Sequence, residues 1–292
     1  MLALRATCRA GDTIAVESPF YFNFLQLIAD LGLKALEIPS TPREGISIEA
    51  LRYAIEHNRV SACLVIPSFG NPLGSLMPDD RKRELVELLA RHEIPLIEDD
   101  IYGDLGDRDT PYRAAKAYDR SGHVIYCHSL NKLVAPGLRL GWMLAGRWQA
   151  RVEMLKYTQS RYGEELPQIV VAELLAGAGY TRHLARLRQA LRRQRQQMAE
   201  AVAAHFPEGT RLSLPEGGLL LWVQMPESVS GDAVFEAALR QGIKLAPGSL
   251  FSNGPRYRNC LRLSCGQPHD EAVRQALRQV GTMVSAQALN PA

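Results

Sequence analysis

The stretch Ser61 to Pro67 (SACLVIP) is apolar on both faces, the pattern of a strand buried inside a parallel sheet. It is one of a series. Asp12 to Glu17 and Lys34 to Ile38 read as earlier strands, and Ile94 to Ile97, His123 to Cys127 and Gly137 to Ala145 as later ones. Helical patterns lie between them. Phe22 to Leu33 is closed by Gly32. Ile48, Leu51 and Ile55 fall at i, i+3 and i+7 behind Ser47, which suits an N-cap. Asp79 and Asp80 open a third helix, whose stripe Leu85, Val86, Leu88 and Leu89 lies opposite Arg81, Lys82, Glu84 and Glu87. Strand and helix alternating through short connections predict an α/β fold with a mostly parallel central sheet and helices on both faces. Such sheets collect ligands beyond the carboxyl ends of their strands. Asn71, Asp99 and Lys132 all stand just past a predicted strand end.

The texture changes after residue 150. Two helical stretches, 149–162 and 167–177, are separated by Pro167, and a long helix runs from Thr181 to His205. Then come a strand (Gly218 to Gln224), a helix stopped by Gly242, strands at Ile243 to Leu245 and Cys260 to Ser264, and a last helix opened by Pro268. At roughly 150 residues per domain, 292 residues suggest about two domains. The expected division is a large domain, 1–179, and a smaller C-terminal α+β domain, 180–292, that includes the long helix.

Apolar residues at 46% and charged residues at 22% argue against global disorder. A net charge of +3 is too small to imply a nucleic-acid or membrane partner, and no apolar run approaches the length of a membrane span. Five scattered cysteines without a CxxC pair disfavour a disulfide framework and a metal site, so a cytoplasmic location is expected. The long helix carries Arg182, Arg186, Arg188, Arg192, Arg193 and Arg195. A nucleic-acid surface and a solvated face are both open there, and the solvated face is the expectation.

Four fragments carry chemistry: Ser68-Phe69-Gly70-Asn71-Pro72-Leu73-Gly74, Asp99-Asp100-Ile101-Tyr102, Ser129-Leu130-Asn131-Lys132 and Pro136-Gly137-Leu138-Arg139. Each alone has a bland reading: a turn, a helix-capping carboxylate, a surface lysine. Ser-x-x-Lys also occurs in penicillin-recognising serine enzymes, but their Ser-Asp-Asn and Lys-Thr-Gly partners are missing from this sequence. Neither a Walker loop nor a GxGxxG fingerprint is present.

Taken together, the fragments resemble the fold-type I, class I/II aminotransferases, whose cofactor is pyridoxal 5'-phosphate (PLP). The resemblance covers nearly the whole chain. It is narrower to the aminotransferase-like domain of MocR-type regulators of the GntR family, through Asn-Pro-Leu-Gly-Ser-Leu-Met-Pro, Ile-Glu-Asp-Asp-Ile-Tyr-Gly-Asp-Leu, Ala-Pro-Gly-Leu-Arg-Leu-Gly-Trp and Ala-Pro-Gly-Ser-Leu-Phe-Ser. The resemblance implies that Lys132 holds the aldehyde as a Schiff base. It makes Asp99 the carboxylate that keeps the pyridine nitrogen protonated, with Tyr102 and Asn71 hydrogen-bonding the phenolic oxygen. Ser129 and Arg139 would hold the phosphate, Arg suiting it through its fork geometry. Tyr21, in Glu17-Ser18-Pro19-Phe20-Tyr21, would stack on the ring. Arg262, in Leu-Arg-Leu-Ser, would grip the carboxylate of an amino acid or 2-oxo acid, with Asn71 beside it.

Two departures matter. The family's first phosphate-binding turn and its upstream winged helix would lie before Met1, so direct nucleic-acid binding by this chain is not expected. Asn131 also replaces a serine common in the family. The resemblance implies a homodimer. It leaves three readings: the PLP-binding effector domain of a regulator, a free-standing aminotransferase acting on an amino acid and a 2-oxo acid, or a fragment that folds poorly.

Overall fold

A computed structural model of the chain describes residues 1–108 and 112–289. In chain order the strands are β1 (Thr13–Ser18), β2 (Lys34–Thr41), β3 (Gly45–Ile46), β4 (Val60–Val65), β5 (Ser68–Gly70), β6 (Ser75–Leu76), β7 (Leu96–Asp99), β8 (Val124–Ser129) and β9 (Gly141–Leu144), then β10 (Arg211–Leu212), β11 (Leu220–Gln224), β12 (Ala246–Pro247) and β13 (Cys260–Ser264). The helices are α1 (Leu2–Thr7), α2 (Phe22–Asp30), α3 (Ile48–His57), α4 (Asp79–Arg91), α5 (Gln149–Ser160), α6 (Glu165–Ala176), α7 (Ala178–His205), α8 (Gly231–Leu239) and α9 (Glu271–Leu289).

The large sheet has the order β3-β2-β1-β4-β7-β8-β9. β2, β1, β4, β7 and β8 run parallel, while β3 and β9 are antiparallel edges. The two-residue period of a strand divides its core. Ile14, Val16, Ala62, Leu64, Ile97 and Ile125 pack on one face with α1, α2, α5 and the first half of α7. Ala15, Cys63, Val65, Leu96 and Val124 pack on the other with α3 and α4. The α/β arrangement read from the sequence is therefore present, helices on both faces included.

A second sheet, β10-β11-β13-β12, is antiparallel throughout and shares a core with α8, α9 and the second half of α7. α7 runs through both cores: Leu184 and Leu191 belong to the first, Met198 and Val202 to the second. Ser47 caps α3 as expected, its hydroxyl accepting from Ala50 N–H at 3.2 Å. Gly32 takes φ +67°, the left-handed conformation that lets the chain leave α2 for β2.

Some local expectations are corrected. The segment expected as one strand from Gly137 begins as a turn at Pro136–Leu138 and pairs only from Gly141. Pro167 is not the break between α5 and α6. It lies inside the first turn of α6, where its missing N–H costs nothing, and the chain turns instead at Arg161, with φ +48°. Ile243 to Leu245 is not a strand; pairing to β13 is made by Ala246 and Pro247. The last helix starts at Glu271, three residues beyond Pro268. The hairpin β5–β6 was expected only as a turn.

Of the six arginines on α7, two point inward. Arg195 is 1% exposed; its Nη2 donates to both Asp107 carboxylate oxygens at 2.6 Å and its Nη1 to Gly218 O at 2.7 Å. Arg188 Nε donates to Asp104 O at 2.7 Å. The solvated face consists of the other four, Arg182, Arg186, Arg192 and Arg193. Among the described residues no helix is long and apolar enough to cross a membrane.

Candidate functional site

Asp99 and Ser129 stand at the carboxyl edge of the parallel sheet. β7 and β8 are paired so that Asp99 faces Cys127, which places Asp99 and Ser129 at the ends of neighbouring strands. Both line one cavity of about 510 Å³, with His128, Gly141 and Trp142 among its other walls. Burial pushes the Asp99 carboxyl up to about 7, against the opposing pull of the Ile101 N–H it accepts. The α-amino group of Met1 lies within electrostatic reach of Asp99 and Cys127.

Asn71, Tyr102 and Arg262 form a second group. Arg262 Nη1 donates to Asn71 Oδ1 at 3.2 Å, and Asn71 lies within hydrogen-bonding reach of the Tyr102 hydroxyl. Burial, then the charge of Asp99, pushes the Tyr102 phenol up to about 12. Arg262 enters from β13, beside Trp222 of β11. Its guanidinium carbon lies 5.3 Å from the centre of the Phe251 ring and 5.8 Å from that of Phe22. Its Nε is buried with no hydrogen-bond partner among the described residues. Tyr21 packs edge-on against Phe24 at 5.5 Å, accepts from Asn23 at its hydroxyl, and lies within electrostatic reach of Tyr102 and Arg262.

A third group follows β8. The Asn131 N–H donates to Ser129 Oγ at 3.2 Å, and Ser129 Oγ donates to Leu140 O at 3.3 Å. With its amide oriented to satisfy both ends, Asn131 accepts from Arg139 Nη1 at 2.8 Å and donates to Pro136 O at 3.0 Å. The residue that departs from the family's serine thus steadies Arg139, which itself sits in the left-handed region at φ +50°. Lys132 is next in the chain and exposed, and has no hydrogen-bond or ion-pair partner among the described residues. The structure joins Asn71, Tyr102 and Arg262 by contact, and Ser129 with Arg139 through Asn131. It draws no contact from Lys132 to either group.

Three further groups were not anticipated from the sequence. His183 of α7 donates through Nε2 to Leu133 O at 2.6 Å, next to Lys132. Glu17, fully buried, accepts from Ile66 N–H at 2.7 Å, and burial pushes its carboxyl up to about 8. Glu37 bridges to residues 252 and 253. No sequence signal marks His183 or Glu37, whose partners lie far away in the chain. Glu17 opens the quoted fragment Glu17-Ser18-Pro19-Phe20-Tyr21, and a charge ending an apolar strand is the signal that marks it. His128 lines the cavity and donates through Nδ1 to Asp100 O at 2.9 Å.

Comparison with known proteins agrees with this fold. Residues 1–280 match the family Aminotransferase class I and II. The HTH-type transcriptional regulator YjiR of Escherichia coli (strain K12) is 39% identical over 283 residues, 97% of this chain and 60% of the regulator. The chain thus spans about three fifths of the length of that relative. The crystal structure of a kynurenine aminotransferase from Pyrococcus horikoshii in complex with PMP superposes with a TM-score of 0.90 at 28% identity, over 98% of this chain and 72% of that one. The α-aminoadipate aminotransferase LysN of Thermus thermophilus, complexed with N-(5'-phosphopyridoxyl)-L-leucine, gives 0.91 at 27%, over 99% and 75%. With nearly its whole length matched and its fold that of the fold-type I aminotransferases, this chain belongs to the aminotransferase class I and II family.

Proposed function

We propose that the chain is the PLP-binding, aminotransferase-like effector domain of a GntR/MocR-type transcriptional regulator, with Lys132 holding the cofactor covalently. The observation that carries the cofactor reading is the meeting of Asp99 and Ser129 in one cavity, with Tyr102 of the Asn71–Tyr102–Arg262 group within electrostatic reach of Asp99. The donor set fits the group. A buried carboxyl suits a ring nitrogen, a tyrosine and an amide suit a phenolic oxygen, and a hydroxyl with a guanidinium suits a phosphate. Bound there, PLP would supply an electron sink for bonds at the amino acid's α-carbon. The chain's own residues do the rest. Asp99 holds a proton at the ring-nitrogen position. Tyr102 and Asn71 would hydrogen-bond the phenolic oxygen, and Tyr21 would stack on the ring. Arg262 orients the carboxylate of an amino acid or 2-oxo acid. Lys132 anchors the cofactor and, once freed, accepts or returns a proton at the α-carbon.

The regulator reading is supported by relatives named as HTH-type regulators at 39% and 32% identity. The alternative, a free-standing PLP-dependent aminotransferase, is supported by the likeness to enzymes such as the kynurenine aminotransferase. We take the protein to be a cytoplasmic homodimer. Five free cysteines suit a reducing compartment, and α6 presents an apolar face that a second copy would cover. The deciding experiment is absorption spectroscopy with PLP. A visible band that borohydride fixes is expected, and Lys132→Ala should abolish it; a band surviving that change removes Lys132 from the role. Steady turnover of an amino acid with 2-oxoglutarate would select the enzyme reading.

A further inference from the structure

Glu37 lies on β2 of the large sheet, far from Lys132 in the chain, and all its partners but one come from the second sheet's loops. Its Oε2 accepts from Ser252 Oγ at 2.7 Å and from Ser18 Oγ at 2.7 Å, and its Oε1 accepts from Asn253 N–H at 2.7 Å. Ser252 Oγ in turn accepts from Gly254 N–H at 3.1 Å. Ser18 Oγ, its proton committed to Glu37, accepts from Tyr257 OH at 3.1 Å. Tyr257 is held at φ +60°, a conformation that residues with side chains rarely adopt. Beside this knot, Phe20 N–H donates to Phe251 O at 2.8 Å. Phe251 is fully buried and forms one wall against the Arg262 guanidinium, with Trp222 5.4 Å from its ring.

One carboxylate therefore pins Ser252 and Asn253, the two residues that directly follow Phe251, and Phe251 is a wall of the Arg262 site. We infer that Glu37 is a positioning residue. It latches the segment from Phe251 to Tyr257 onto the large sheet, and so sets the affinity of the Arg262 site for a carboxylate ligand without touching that ligand. This inference rests on the reading of Arg262 as the carboxylate-gripping group. The physical argument is preorganisation. Arg262 has a free buried Nε and two aromatic neighbours, and its attraction for a carboxylate is strongest while those rings keep water out. Releasing the segment admits water and frees Phe251 to move.

The probe is 4-methylpentanoate, a carboxylate without an amino group, titrated calorimetrically into the full chain. It cannot react with PLP, so it reports on the Arg262 site alone. Glu37→Gln should raise its dissociation constant at least tenfold, Glu37→Asp should recover part of the loss, and Arg262→Gln should remove binding. PLP half-saturation, read by absorbance, should stay within twofold of wild type in Glu37→Gln. If that variant fails to fold, Ser252→Ala is read in its place, with the same direction expected. Wild-type affinity for the probe in Glu37→Gln, a parallel loss of PLP affinity, or no probe binding by wild type each overturns the latch. Probe binding that follows the expected pattern while wild type takes up no PLP leaves the latch standing and removes the cofactor reading instead.

Discussion

Arg262 and Asn71 meet at 3.2 Å across 191 residues of chain, joining β13 of the small sheet to the loop after β5. That single bond leaves most of the guanidinium's donors for something else. Burial lowers the Arg262 pKa, partly offset by Tyr102 and Tyr21, so its charge stands in surroundings that poorly replace water. A carboxylate ligand would replace it well. Arg262→Gln is therefore expected to weaken amino-acid binding by roughly ten- to a hundredfold, as hydrogen bonds to charged groups are worth about 1.5–3 kcal/mol. PLP uptake should be nearly unchanged. Titrating the cofactor's absorption with an L-amino acid checks this, and equal affinity in the variant would free Arg262 from the role.

Burial holds four carboxyls above their ordinary range: Glu17 at about 8, Glu98 and Asp99 each at about 7, and Asp100 with them. The folded protein then keeps, up to about pH 7 to 8, protons that the unfolded chain releases near pH 4, so stability falls as pH rises through that window. Urea midpoints of the cofactor-free protein should be lower near pH 8 than near pH 5. Asp99→Asn should flatten the decline by removing one of the four contributions. A slope identical to wild type in that variant would mean that Asp99 titrates normally.

Two arginines of α7, three residues apart, should behave oppositely. Arg195 is buried against Asp107 and Gly218, and Arg192 is exposed. Arg195→Met strands a partly buried carboxylate and a carbonyl, at a cost of about 3–5 kcal/mol. Arg192→Met should change stability by no more than about 0.5 kcal/mol. Chemical denaturation of the two variants is the comparison. Similar values would show that the Asp107 pair contributes little.

The same pair shows what a sequence can carry. Strand segments such as 61–67 were legible because burial on both faces writes itself as an unbroken apolar run. The site fragments were legible because each chemistry-bearing residue lies within a few positions of a strand end. Arg195 was not, although it shares its stripe with Leu191, Met198 and Val202. A charge on an apolar stripe is read as solvated until its partner is known, and Asp107 lies 88 residues away. Glu37 was hidden for the same reason, with Ser252 and Asn253 more than 200 residues on. The turn at Arg161 was masked by the nearby Pro167, whose ring suits the first turn of a helix as well as a break.

α6 is apolar nearly all round, yet only Val171 is buried. Leu166 is 72% exposed, and Ile169, Val170 and Leu175 are exposed with it; Tyr162, in the preceding turn, is 84% exposed. A helix with this pattern is normally buried on every side, and a contiguous apolar patch marks an interaction surface. The homodimer we propose would cover it. Sedimentation of wild type should give the mass of two chains. Ile169→Glu would bury a carboxylate in that contact, and a penalty of about 3 kcal/mol corresponds to roughly a hundredfold weaker association. The variant should therefore run as a monomer at concentrations where wild type is paired, with its secondary structure intact because residue 169 touches water in the isolated chain. Leu214→Glu, exposed but in the loop before β11, should leave the mass unchanged. A monomeric wild type, or a dimer indifferent to Ile169→Glu, would assign the α6 face to another purpose.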